Sequence, residues 1–188
     1  ALFDGRVFIA GCDQMLRAIE VSTPTVAWEL SMDGYAAASP AILDGALYVG
    51  HFGGAVIAVD LFSGGQLWSY SPGGDGQPFY ASCAVSSDSV VAAGRDQNVH
   101  CLNRADGTRR WVFQTRGEID GSPVICGGRV FAASKDGTLY GLDLKTGAVA
   151  WKYVAGVPFG GSPAVAAGRL VIGDMMGNLF CFGEKEKP

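Results

Sequence analysis

Apolar residues in this chain fall into short runs rather than long stripes, and Gly, Asp or Asn ends almost every run. One kind of run reads RVFIA at 6–10, ALYVG at 46–50, SVVAA at 89–93, RVFAA at 129–133 and RLVIG at 169–173. A polar turn follows each, clearest in Lys135-Asp136-Gly137. The second kind of run comes next: LRAIE at 16–20, VIAVD at 56–60, VHCLN at 99–103, LYGLD at 139–143 and LFCFG at 179–183. Gly or Asp-Gly between such runs signals hairpins, because Gly takes the positive φ that tight primed turns require. Nothing of helical length carries a 3.6-residue apolar period, so the pattern predicts strands throughout.

The runs repeat. Trp28, Trp68, Trp111 and Trp151 are spaced 40, 43 and 40 residues apart. Ser-Pro at 39–40, 122–123 and 162–163, with Ser82-Cys83 in the matching place, gives Ser spacings of 43, 40 and 40. The extra residues fall between Pro72 and Pro78. Each period holds four strand-like runs: one after the Ser-Pro, the two kinds above, and one bearing the Trp. Four antiparallel strands per ~40 residues is the signature of a β-propeller blade. The expected fold is therefore all-β, with blades over about 1–33, 34–76, 77–116, 117–156 and 157–188. The fifth lacks its outer, Trp-bearing strand, and the first lacks the Ser-Pro start of its innermost one. These ends lead to the expectation of the C-terminal part of a longer ring. A closed five-bladed ring, or one completed by further blades of another chain, are the alternatives.

Composition narrows the function. Gly supplies 28 of 188 residues, about twice the ordinary share, which suits many turns and no helices. Lys and Arg total 14 against 18 Asp and Glu, a net charge of −4, so a phosphate-wrapping role and a nucleic-acid partner are not expected. No run of about 18 apolar residues predicts a membrane span. Cys12, Cys83, Cys101, Cys126 and Cys181 show neither adjacency nor a CxxC, so reduced, mostly buried thiols are expected rather than a disulfide framework or zinc site. Such thiols favour a reducing compartment.

GLDLKTGAVAW at 141–151, followed by GSPAV at 161–165, resembles the PQQ-type propeller repeat, and AVDLFSGGQLW at 58–68 is nearly as good a match. AIEVSTPTVAW at 18–28 and CLNRADGTRRW at 101–111 are degenerate copies. The resemblance covers the whole chain. It takes in the quinoprotein alcohol dehydrogenases and the BamB-type scaffold propellers of bacterial outer-membrane assembly, and it implies a seven- or eight-bladed ring and an exported, periplasmic protein. The repeat residues also have plain structural duties. Each Trp offers a large apolar body with one N–H, Asp60, Asn103 and Asp143 suit turn capping, and Gly64, Gly107 and Gly147 suit positive φ. Cys101 and Cys181 share a column with Ala18, Ala58 and Gly141 that wants a small residue.

The quinoprotein resemblance implies a vicinal Cys pair, a cofactor-stacking Trp, calcium-binding Glu/Asn and an Asp base. The chain has no adjacent Cys, and all four Trp serve the repeat, so neither quinone nor calcium is expected and no catalytic residue is assigned. His51 lies in a loop column and His100 inside a strand, which gives no metal set and no nucleophilic triad. The Glu184–Lys187 stretch reads as a solvated tail. In a propeller, loops between second and third strands share one face with the blade-to-blade crossovers. That face is expected to carry His51, Phe52, Arg95, Lys135 and Met175 from the first set, and Tyr35, Phe79, Tyr80, Ile119, Asp120 and Phe159 from the second. Aromatics, Met and Arg on loops are enriched where proteins bind proteins. The expectation is a non-catalytic scaffold with a protein partner. A ligand- or carbohydrate-sensing propeller, or a fragment of a PQQ-dependent dehydrogenase, stand as alternatives.

Overall fold

The computed structural model describes residues 1–73 and 76–183, so the 184–188 tail and part of the long 72–80 crossover lie outside the described residues. It is all-β, with five antiparallel sheets in chain order. The first sheet is β1 (Leu2–Phe3), β2 (Arg6–Ala10), β3 (Met15–Glu20) and β4 (Val26–Ser31). The second is β5 (Ala41–Leu43), β6 (Ala46–His51), β7 (Ala55–Asp60) and β8 (Gln66–Tyr70). The third is β9 (Ala84–Val85), β10 (Ser89–Ala93), β11 (Asn98–Asn103) and β12 (Arg109–Gln114), and the fourth β13 (Val124–Cys126), β14 (Arg129–Ala133), β15 (Thr138–Asp143) and β16 (Val149–Val154). The fifth shows three strands: β17 (Ala164–Ala166), β18 (Arg169–Gly173) and β19 (Leu179–Gly183). No described helix is long and apolar enough to cross a membrane.

Local chemistry explains the meander. Asp4-Gly5, Asp44-Gly45, Gly127-Gly128 and Ala167-Gly168 all have positive φ at both turn residues, the geometry of two-residue primed hairpins. Asp60 and Asp143 cap the next outward turn, each through one carboxylate oxygen: Asp60 accepts from the Ser63 N–H at 2.8 Å, and Asp143 from the Thr146 N–H at 2.9 Å. The small-residue column has a reason too. Ala18, Ala58, Cys101 and Gly141 pair across the sheet with Trp28, Trp68, Trp111 and Trp151, and a register shift follows each small residue.

Each of these indoles then leans toward the next blade. Trp28 donates its Nε1–H to the Leu61 carbonyl, Trp68 to Arg104 and Trp111 to Leu144, at 3.1, 3.0 and 2.9 Å. The ring lies on the glycine of that blade's turn: a Cβ on Gly64, Gly107 or Gly147 would come within 2.6, 2.6 and 2.7 Å of the preceding Trp. All three glycines have φ +73, so geometry and space both demand them. Along the inner edge, Ser39 donates its N–H to Ser82 Oγ, Ser82 to Ser122 and Ser122 to Ser162. The repeated serine is thus a blade-to-blade rung.

The core consists of four clusters, one between each successive pair of blades. Among the described residues no such cluster joins the fifth blade to the first. Leu179 is 75% exposed while its column mates Leu16, Val56, Val99 and Leu139 are fully buried, and Ile9 is 47% exposed while Val49 is fully buried. The cysteines correct one expectation. All five are unpaired, but Cys12, Cys126 and Cys181 are exposed and only Cys83 and Cys101 are buried. The exposed three sit on a hairpin turn, at a strand end and on the uncovered face of the fifth blade. Burial pushes the Cys83 thiol up to about 12.

Candidate interaction face

One end of the blades is tied together by main-chain hydrogen bonds that alternate between hairpin loops and crossovers. Ala36 N–H donates to the Gly11 carbonyl, Phe52 to Tyr35, Phe79 to His51 and Arg95 to Pro78. The belt continues from Ile119 to Gly94, Lys135 to Glu118, Phe159 to Ser134 and Met175 to Pro158. Hairpins and crossovers therefore do form one continuous rim, and their side chains alternate along it between outward and inward positions.

The outward positions make a row. Tyr35 stacks on Phe52 at 4.4 Å between ring centroids, and Phe52 meets Tyr80 edge-on at 5.5 Å. The Arg95 guanidinium sits 4.7 Å over the Tyr80 ring. Arg95 also grips Asp120 with two hydrogen bonds, of 2.8 and 3.2 Å. Lys135 Nζ closes the row, 2.8 Å from Glu118 and 2.7 Å from Asp120. Burial raises the Asp120 carboxyl, but the bonds from Arg95 and Lys135 outweigh it and hold the group below the usual carboxylate range. Surface ion pairs contribute only about 0–1 kcal/mol each, so this network orders the surface more than it stabilises the fold. Tyr35 and Tyr80 are 44% and 38% exposed, and Met175, further along the rim, is 64% exposed.

The inward positions correct the sequence reading. Phe79, Ile119, Phe159 and His51 are buried under the rim, not displayed on it. Each crossover residue that donates to a hairpin carbonyl turns its side chain down between two blades. Phe79 packs edge-on against His100 at 5.3 Å and Phe159 against Phe180 at 5.9 Å. His51 accepts the Gly53 N–H through Nδ1 at 3.1 Å, and burial lowers its pKa although Asp33 pulls the other way. Glu118 joins the row through Lys135. Buried His100 forms a hydrogen-bonded trio with half-buried Asp96 and Tyr70 that sequence reasoning missed, with only the four-residue spacing of Asp96 and His100 as a signal.

Fold and face together define a β-propeller of PQQ-like repeats, with a preordered aromatic and charged row along one rim. The chain belongs to the family described as outer membrane protein assembly factor BamB, whose model matches residues 1–81 and 53–183. It is 27% identical over 140 residues to BamB of Salmonella typhimurium, which covers 68% of this chain and 36% of that protein. A quinohemoprotein alcohol dehydrogenase of Pseudomonas putida is 28% identical over 121 residues, 56% of this chain and 17% of that one. The crystal structure of BamB from Moraxella catarrhalis superposes with a TM-score of 0.85 at 20% identity, over 97% of this chain and 60% of the other. The chain thus spans about a third of the length of the Salmonella relative.

Proposed function

We propose that this chain is a non-catalytic scaffold that presents the Tyr35–Phe52–Tyr80–Arg95–Asp120–Lys135 row to a protein partner in outer-membrane protein assembly. The observation that carries the reading is the continuity of that row: exposed Tyr35 and Tyr80 and half-buried Phe52, Arg95 and Asp120 are held in one arrangement before any partner arrives. Preordering lowers the entropy lost on binding, and aromatic and Arg side chains dominate binding hot spots. The name borne by the family supports an exported location at the outer membrane, and the 60% of the Moraxella structure that this chain covers supports a longer ring of blades. The quinoprotein reading is weaker. The five cysteines are non-adjacent, and Trp28, Trp68 and Trp111 are committed to the next blade. The residues present do not fit a quinone cofactor.

The test is a triple variant, Tyr35→Ala, Phe52→Ala and Tyr80→Ala, in the parent protein, read by co-purification with the outer-membrane assembly machinery. Loss of each hot-spot aromatic costs about 1 kcal/mol or more, so retention should fall by roughly two orders of magnitude. Phe62, exposed on a turn at the opposite end of β7, is the control, and Phe62→Ala should change nothing. Equal retention by the triple variant and the parent would remove the row from the function.

A further inference from the structure

Arg110 breaks a pattern that the other blades keep. In each of the first four blades the register shift after the small residue leaves one unpaired bulge residue before the Trp: Ala27, Leu67, Arg110 and Ala150. A bulge re-aims the side chain it carries. In the third blade it aims a guanidinium at the turn opposite the rim, where Arg110 Nη1 donates to Asp88 Oδ2 and to Ser89 Oγ, each at 2.9 Å. Both bonds leave from one nitrogen of a group with five N–H donors. The bonds from Arg110 and Ser89 hold the Asp88 carboxyl down at about 2, so it stays ionised as the partner of Arg110.

Arg110 stands at one side of a cleft of about 380 Å³ between the third and fourth blades, and every residue lining that cleft is described. From the fourth blade Arg129, Asp143, Leu144 and Lys145 line it. Lys145 occupies a column that holds Ser22, Phe62 and Ala105 in the blades before it. Arg129 has its like in Arg6, whose cross-strand neighbour Glu20 takes it in an ion pair of 2.6 Å. Asp143, the cross-strand neighbour of Arg129, instead directs Oδ1 into its own turn, where it accepts from the N–H groups of Lys145 and Thr146 and from Thr146 Oγ. Charge along the array points the same way. Residues 1–73 carry seven Asp and Glu against two Arg, whereas residues 76–156 carry seven against nine Arg and Lys. The cleft lies in the basic part of an acidic chain, and summed fields of this kind raise the local concentration of anions.

We propose that this cleft binds the phosphoryl group of a small phosphate monoester, with Arg110 reaching it from the third blade and Arg129 and Lys145 from the fourth. A planar carboxylate is satisfied by one guanidinium fork, whereas a tetrahedral phosphoryl group offers three oxygens to cations on several sides. The volume falls within the range of about 300–1,000 Å³ for small-molecule sites, and it leaves room beside Leu144 for the organic part of the ester. All three cations are exposed, so salt should weaken the binding. The cleft lies at the opposite end of the strands from the rim row and stands or falls apart from the scaffold reading.

The probe is phenyl phosphate, a dianion above its second pKa of about 6, titrated into the full chain at low salt and followed by amide NMR shifts. Shifts should centre on Ser89, Gly127, Gly128 and Lys145. Arg129→Gln and Lys145→Gln should each weaken binding about tenfold or more, the worth of a charged hydrogen bond, with unaltered unfolding midpoints. Arg116→Gln, at an exposed arginine on the rim, should change nothing. The Tyr35, Phe52 and Tyr80 variant should bind phenyl phosphate as the parent chain does. No binding, or equal binding by the Arg129 and Lys145 variants, overturns the site. Benzoate bound as tightly as phenyl phosphate overturns the phosphoryl group as its ligand, and inorganic phosphate bound as tightly overturns the ester.

Discussion

His51 is a loop residue by position and a core residue by burial, and that makes it a pH sensor for the fold. Its folded-state pKa lies below the ordinary 6.5 because burial disfavours the charged ring. The unfolded chain therefore binds the extra proton first. The stability due to neutral His51 is complete above pH 6.5 and drains away as pH falls through that value toward the depressed one. Urea midpoints should drop between about pH 7.5 and 5.5, and His51→Gln should flatten that slope. Parallel curves for the two proteins would show that His51 does not carry it. Carboxylates such as Asp60 and Asp143, lowered by their turn hydrogen bonds, act in a separate and more acidic window.

Between blades the decisive element is the Trp–Gly seat. Gly107→Ala adds a left-handed backbone penalty of about 1–2 kcal/mol and an overlap with Trp68 worth about 1–3 kcal/mol, so a loss of about 2–5 kcal/mol is expected by urea unfolding. Gly5→Ala separates the two parts, because Gly5 also has φ +73 but has nothing within 4 Å of an added Cβ. It should lose only the backbone part, and equal losses at both sites would refute the seat. The seat was half legible. The period-40 spacing reveals every Trp and every turn glycine, and the Asp-Gly signals reveal the hairpins. That the glycine of one repeat exists for the Trp of the repeat before it is a contact across more than thirty residues, which no local pattern encodes. The face was legible in the same uneven way. Repeat columns identify which residues reach the rim. Whether a crossover side chain points up, as Tyr80 does, or down, as Phe79 does, depends on which N–H the belt consumes.

Across the whole molecule, burial follows neighbours. β6 is buried at every position and β10 likewise, whereas β19 alternates between exposed and half-buried residues. Stability in such an array is approximately a sum of blade terms and nearest-neighbour terms. Amide exchange should therefore be slowest in β6, β7, β10 and β11, which are flanked on both sides, and fastest in β1, β18 and β19. Uniform protection across all five blades would mean that the array opens only as a unit.

The seats described between blades also have a direction. Trp28 is received by the second blade, Trp68 by the third and Trp111 by the fourth, and none is received by the blade before it. A chain emerging from the ribosome meets this asymmetry in time. When a blade's own strands are complete its Trp is still unhoused, and the turn that will receive it is a further blade's worth of translation away. Each blade should thus become protease-resistant one blade late, with a single large apolar ring in waiting at the growing end.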